Sequence, residues 1–260
     1  MQAIPLWIWI RNNRGSTKKR RGQTVEKKYT FEEFLEIIKT LRSENGCPWD
    51  REQTHESLKP CVMEEAAELA AAIRIYDRTG DSENMVEELG DLLLQVVMHS
   101  QIGSEEGIFS IKDVIHGVSE KMVRRHPHVF GDALAENSEQ VLNNWEDIKK
   151  AEKEGKTWIE SPLREIPLEL PALTRAVKVN KKVDKLYEKR SSYEETIAQM
   201  KELTAKLEGL TPQAYDEEIA SCVGDLLVAV TDICRINKLT PEQILTDKIE
   251  EMIEKYESLE

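Results

Sequence analysis

The chain is short of the residues that build staples, sheets and membrane spans. Among 260 residues there are four cysteines, Cys47, Cys61, Cys222 and Cys234, and none stands in a CxxC or other zinc-type spacing. A disulfide framework and a structural zinc site are therefore not expected, and the pattern suits a reducing cytoplasm. Apolar/polar alternation of period two, the mark of half-buried strands, is nearly missing. No apolar run is long enough for a bilayer. The run IPLWIWI at 4–10 is too short, and it precedes the basic stretch Lys18–Arg21, the reverse of a secretory signal. Positive charge is also scarce: 36 Lys and Arg against 49 Asp and Glu leave a net charge of −13. That argues against general nucleic-acid binding, which draws its affinity mainly from Lys and Arg. A small polyanion bridged by metal ions remains open.

What is present is helical. Apolar residues recur at three and four, so the fold class expected is all-α. The length suits one or two domains. The most informative stretch is 58–99, read as two helices joined by a polar turn at Thr79-Gly80-Asp81-Ser82. Each carries acids at i, i+3: Glu65 with Glu68, and Glu88 with Asp91. Such residues share a helix face, and a short connection makes the helices antiparallel neighbours. Acidic pairs of this kind commonly sit on solvated faces. Here, however, the run LGDLLLQVVM at 89–98 is apolar almost all round, with Asp91 and Gln95 its only polar side chains, and Cys61 and Ala72 extend the first helix's acidic stripe. Carboxylates so placed are rarely buried unless paired or metal-bound. Four converging carboxylates call for a hard divalent cation, Mg²⁺ first, with Mn²⁺ as a substitute. The expected ligands are Glu65, Glu68, Glu88 and Asp91.

The segments Glu64-Glu65-Ala66-Ala67-Glu68 and Glu88-Leu89-Gly90-Asp91, with NGCPWDREQTHESLKP at 45–60, EKMVRRHPHVFGD at 120–132 and NWEDIKKAEK at 144–153, resemble the MazG family of nucleoside triphosphate pyrophosphohydrolases. The likeness covers roughly residues 30–260. It implies hydrolysis of a nucleoside triphosphate at the α-phosphorus, giving nucleoside monophosphate and pyrophosphate, in a house-cleaning or nucleotide-pool role. It also implies a homodimer, with apolar helices such as 89–98 and 223–234 packing across it. Glu64 is placed as a further ligand or general base. Lys121, Arg124 and Arg125 form a compact basic patch near a helix end. They either complement the helix dipole or clamp phosphates, for which Arg is the fitting donor. Lys149 is a second phosphate contact. Lys59 reaches a phosphate or is a surface lysine. Trp49 is either a core anchor or a platform for a base.

The remaining organisation follows from punctuation. Residues 1–28 carry eight basic side chains and one acidic, +7 of a chain whose total is −13, so the remainder carries −20. They read as a flexible leader, or as a basic arm for RNA or anionic lipid. A first helical domain spans 29–154, opening at Thr30 with Glu33 as its capping-box partner. Cys47-Pro48-Trp49-Asp50 is expected as a rigid loop, and Gly103 to Gly107 as a polar loop before a helix capped by Ser110. A linker at 155–171 holds Pro162, Pro167 and Pro171. The domain beyond it, 172–260, reads as a degenerate copy of the first. At an offset of 134, Glu202 and Asp225 match Glu68 and Asp91, but Glu64, Glu65 and Glu88 become Ala198, Gln199 and Cys222. Further on, Arg124 and Arg125 become Glu251 and Met252. Any activity is thereby placed in the first repeat. A nucleotide-binding sensor without turnover is the alternative. A ferritin-like di-iron bundle needs two Glu-x-x-His motifs, and only Glu52-Gln53-Thr54-His55 fits.

Overall fold

The computed structural model describes residues 28–133, 137–152, 161–189, 191–210 and 217–259. The basic leader lies outside them, apart from Lys28. The described residues form eleven helices and no strand. The chain divides into two compact units, one ending at Glu152 and the other beginning at Lys153.

The first unit holds α1 (Phe31–Leu41), α2 (Pro48–Glu52), α3 (His55–Thr79), α4 (Glu83–Glu105), α5 (Ile111–Arg125), α6 (Pro127–Phe130) and α7 (Ser138–Ala151). The long pair α3 and α4 is its axis. Gly80 ends α3 with φ +73°, the left-handed conformation that suits glycine, and two further residues turn the chain back into α4. α1 and α5 pack on α4, and α6 and α7 pack on α5. The expected capping box of Thr30 with Glu33 is formed, and Ser110, expected as a cap, forms a box with Asp113. The core lies at the end of the hairpin remote from Gly80, where Ile38, Leu58, Cys61, Val97, Met98 and Ile102 are buried together.

Three details differ from the sequence expectations. α3 begins at His55, ahead of the expected residue 58, and has Pro60 inside it. A capping box of Thr54 with Ser57 starts it, and burial of Leu58 and Cys61 in the core offsets the hydrogen bond that proline removes. Cys47-Pro48-Trp49-Asp50 is not an open loop, because Pro48 opens the one-turn helix α2 and Asp50 is buried. Gly103 lies inside α4, and a Cβ there would meet the Phe109 ring at 2.7 Å. The glycine thus permits close approach of the 106–110 turn, and Gly107, at φ +71°, carries the bend.

Arg42 holds this end of the unit together. Its side chain is 5% exposed and pairs with Glu105 at 2.7 Å. Its Nη1 also donates to the Asp50 and Gln53 carbonyls. One guanidinium thus joins the end of α1, the α2 segment and the end of α4. Arg42→Ala is expected to cost about 2–4 kcal/mol, because it strands buried acceptors and a carboxylate at once. Urea unfolding should read this as a lower midpoint with an unchanged slope.

The second unit holds α8 (Ala172–Tyr187), α9 (Tyr193–Glu208), α10 (Glu217–Ile236) and α11 (Pro241–Glu257). α10 packs on both α8 and α9, and α11 packs on α8. Residues 161–171, with their three prolines, form turns without helix. A buried polar network ties this unit: Arg235 pairs with Asp184 at 2.5 Å and Asp232 at 2.6 Å, and Thr196 donates to Asp232.

Candidate metal centre

The α3–α4 hairpin brings carboxylates from both helices to one place. One oxygen each of Glu65, Glu88 and Asp91 lies within 4.8 Å of the others. Glu65 is 5% exposed and Glu88 3%, while Asp91 is half-buried. Glu68, also half-buried, stands outside that triad but close enough to bear on Glu65 electrostatically. Asn84, one turn before Glu88 on α4, donates to Glu88 Oε1 at 2.9 Å and fixes its orientation. Among the described residues this is the one group of three such ligands.

The cost of this crowding falls on Glu65. Burial first, then Asp91, Glu68, Glu88 and Glu64, push its carboxyl up from 4.5 to about 7. Oxygen donors only, held close and short of positive charge, fit a hard dication. The crowding also sets a pH dependence. In metal-free protein, the folded state keeps a proton on Glu65 between 4.5 and about 7 that the unfolded chain releases. Stability therefore falls as pH rises through that window. In EDTA, wild type should lose melting temperature between pH about 5 and pH about 8, and Glu65→Gln should lose less. An equal loss in both proteins would contradict this assignment.

A second cluster is basic. Arg124 and Arg125, at the end of α5, both pair with Glu152, at 2.9 and 2.5 Å. The Arg125 guanidinium lies 5.2 Å from the Trp145 ring centroid, and Lys149 Nζ lies 5.6 Å from it. Hydrogen bonds from Arg125 lower Glu152 to about 2, against a smaller upward push from burial. Three of the expected phosphate contacts, Arg124, Arg125 and Lys149, are thus gathered around one indole and one acid. Lys121 is exposed on the same helix. Sequence reasoning passed over Trp145 and Glu152 as parts of this cluster. Trp145 stands at i, i+4 to Lys149 in NWEDIK, which was the available signal.

The MazG nucleotide pyrophosphohydrolase domain family matches residues 53–130, the segment that carries the acidic triad and both arginines. The chain is 41% identical over 234 residues to the nucleoside triphosphate pyrophosphohydrolase/pyrophosphatase MazG of Thermotoga maritima, covering 88% of this chain and 85% of that one. The chain belongs to the MazG family of nucleoside triphosphate pyrophosphohydrolases. It is also 39% identical over 240 residues to the nucleoside triphosphate pyrophosphohydrolase of Escherichia coli K12, covering 86% and 84% of the two chains. It is 43% identical over 219 residues to the Bacillus subtilis protein YabN, of whose length it spans 44%.

Glu64, Lys59 and Trp49 are the remaining residues that the resemblance implies for the site. Glu64 is half-buried beside Glu65. Lys59 is exposed, and six residues of helix turn it about 120° away from Glu65. Trp49 is half-buried on α2, and its indole N–H has no partner among the described residues. His55 is engaged elsewhere: its Nδ1 lies 2.7 Å from Nδ1 of His99, and its ring stacks on Phe109. Of the second-unit residues matched by sequence to the acids, Gln199, Glu202 and Asp225 are exposed. Cys222 is buried there, and its thiol donates to the Leu203 carbonyl at 3.2 Å.

Proposed function

We propose that this MazG protein hydrolyses nucleoside triphosphates, ribo- or deoxyribo-, to nucleoside monophosphate and pyrophosphate in a Mg²⁺-dependent reaction centred on its first unit. The observation that carries this is the buried triad of Glu65, Glu88 and Asp91 between α3 and α4. Glu65, Glu68, Glu88 and Asp91 would hold the cation, which supplies neutralisation of the triphosphate and a more acidic water when bound. Mn²⁺ would substitute. Water adds at the α-phosphorus, the bond to the β-phosphate oxygen breaks, and pyrophosphate leaves. Glu64 takes the water's proton or acts as an additional ligand. Arg124, Arg125, Lys121 and Lys149 neutralise the departing pyrophosphate. Trp49 offers a π face to the base. The second unit acts as a degenerate repeat without turnover of its own.

The setting follows from the same reading. Leu89, Leu93 and Val96 are 40–49% exposed along one side of α4, and apolar faces of this kind support a symmetric homodimer. No helix among the described residues is long and apolar enough to cross a membrane. A cytoplasmic, house-cleaning role in the nucleotide pool is proposed from the family resemblance alone.

The experiment is pyrophosphate release from a panel of natural and modified NTPs and dNTPs in Mg²⁺, with EDTA as control. Mg²⁺-dependent release with monophosphate as co-product is expected. Tight nucleotide binding without release would favour a sensor.

A further inference from the structure

Gln95 is the most deeply buried amide in the first unit. It is 1% exposed, and neither its Oε1 nor its Nε2 has a hydrogen-bond partner among the described residues. An amide left so is a net cost to folding, since both ends lose water and gain nothing. The α9–α10 pair of the second unit places Ala229, 3% exposed, at the corresponding register.

Its position accounts for it. Gln95 follows Asp91 by four residues and Glu88 by seven, on the same side of α4. A helical side chain leans toward the helix N-terminus, over the preceding turn. The amide is therefore directed from the apolar core, where Val97 and Met98 lie, toward the turn that bears Asp91. Across the hairpin, Cys61 stands one turn before Glu65, and its thiol is pushed up by burial and then by Glu64 and Glu65. Gln95 thus forms the boundary between the core and the acid triad, with one donor group and one acceptor unused.

We infer that Gln95 is a positioning residue of the metal centre, using its carboxamide as a hydrogen-bonding floor for the hydration shell of the cation. Oε1 accepts from a water of that shell, and Nε2 donates to a carboxylate or to a second water. Cation-polarised water is a strong donor, so an acceptor held in a dry wall is well matched to it. An amide also adds an acceptor without adding a further negative charge to the cluster.

This rests on the metal-dependent reading of the site, and the test separates the two. Mg²⁺ binding to full-length protein is followed by calorimetry, and melting in EDTA is followed alongside, for wild type, Gln95→Met and Gln95→Leu. Both variants should melt in EDTA at or above the wild-type temperature, because the orphaned amide is gone. Both should bind Mg²⁺ about 10-fold more weakly. A role confined to packing would lower the EDTA melting temperature and leave Mg²⁺ affinity unchanged. That result, or a Mg²⁺ titration superimposable on wild type, would overturn the inference. Failure of both variants to fold would overturn it too, since it would show that the core depends on the amide. No Mg²⁺ binding by wild type would overturn the metal-dependent reading itself.

Discussion

Asp91→Ala is expected to lower kcat/KM for pyrophosphate release by at least about 10³-fold, equivalent to about 4 kcal/mol of transition-state stabilisation. Asp91 supplies one of three oxygens that lie within 4.8 Å of one another. It is also the carboxylate that contributes most to the upward push on Glu65. Its removal therefore has two opposite consequences. The cation loses a ligand, while the metal-free protein loses a repulsion. Melting in EDTA should be unchanged or raised, and the increase in melting temperature on adding Mg²⁺ should shrink. That pairing distinguishes a ligand from a residue that merely supports the fold, whose loss would lower both stability and activity. Glu68→Ala should also abolish release while the helical spectrum survives. Undiminished turnover in either variant would refute the site.

Arg125→Ala is expected to raise KM for the triphosphate about 10- to 100-fold, with a smaller change in kcat; each factor of ten corresponds to about 1.4 kcal/mol. Arg125 is largely buried, stacks on Trp145 and pairs with Glu152. Such a guanidinium is held in one orientation, so its two-pronged donation to phosphate oxygens costs little to organise. Glu152 would stand in for a phosphate in the ligand-free protein. Removing Arg125 also leaves Glu152 without that partner, so stability should fall together with affinity. Combining the change with Glu152→Ala should restore the melting temperature without restoring KM. If the double variant recovers both, the cluster serves only to attach α7 to α5.

The helical class, the α3–α4 hairpin and its acids were legible because they rest on local rules. Thr30 with Glu33 is a spacing of three, Ser110 is a cap residue before an apolar-periodic run, and Glu65 with Glu68 and Glu88 with Asp91 share faces by the same spacing arithmetic. The apolar run around Asp91 was read as a helix covered almost all round, whereas in the single chain only its Gln95, Val97 and Met98 side is buried and Leu89, Leu93 and Val96 are exposed. Arg42 was not legible, because its partner Glu105 lies 63 positions away and no local pattern links them. The start of α3 at His55, ahead of the expected residue 58, rests on a capping box of Thr54 with Ser57. Glu152 escaped because an acid at the end of a charged stretch looks solvated until two arginines from α5 meet it. Asn84 and Gln95 were visible as polar residues on the α4 helix, but their roles depend on what the hairpin encloses.

The most direct test of the account is a crystal of the protein soaked in Mn²⁺ and measured at the manganese edge. An anomalous peak coordinated by Glu65, Glu68, Glu88 and Asp91 from the facing helices is the predicted result. The same carboxylates splayed into solvent, with no peak between α3 and α4 at saturating Mn²⁺, would contradict it.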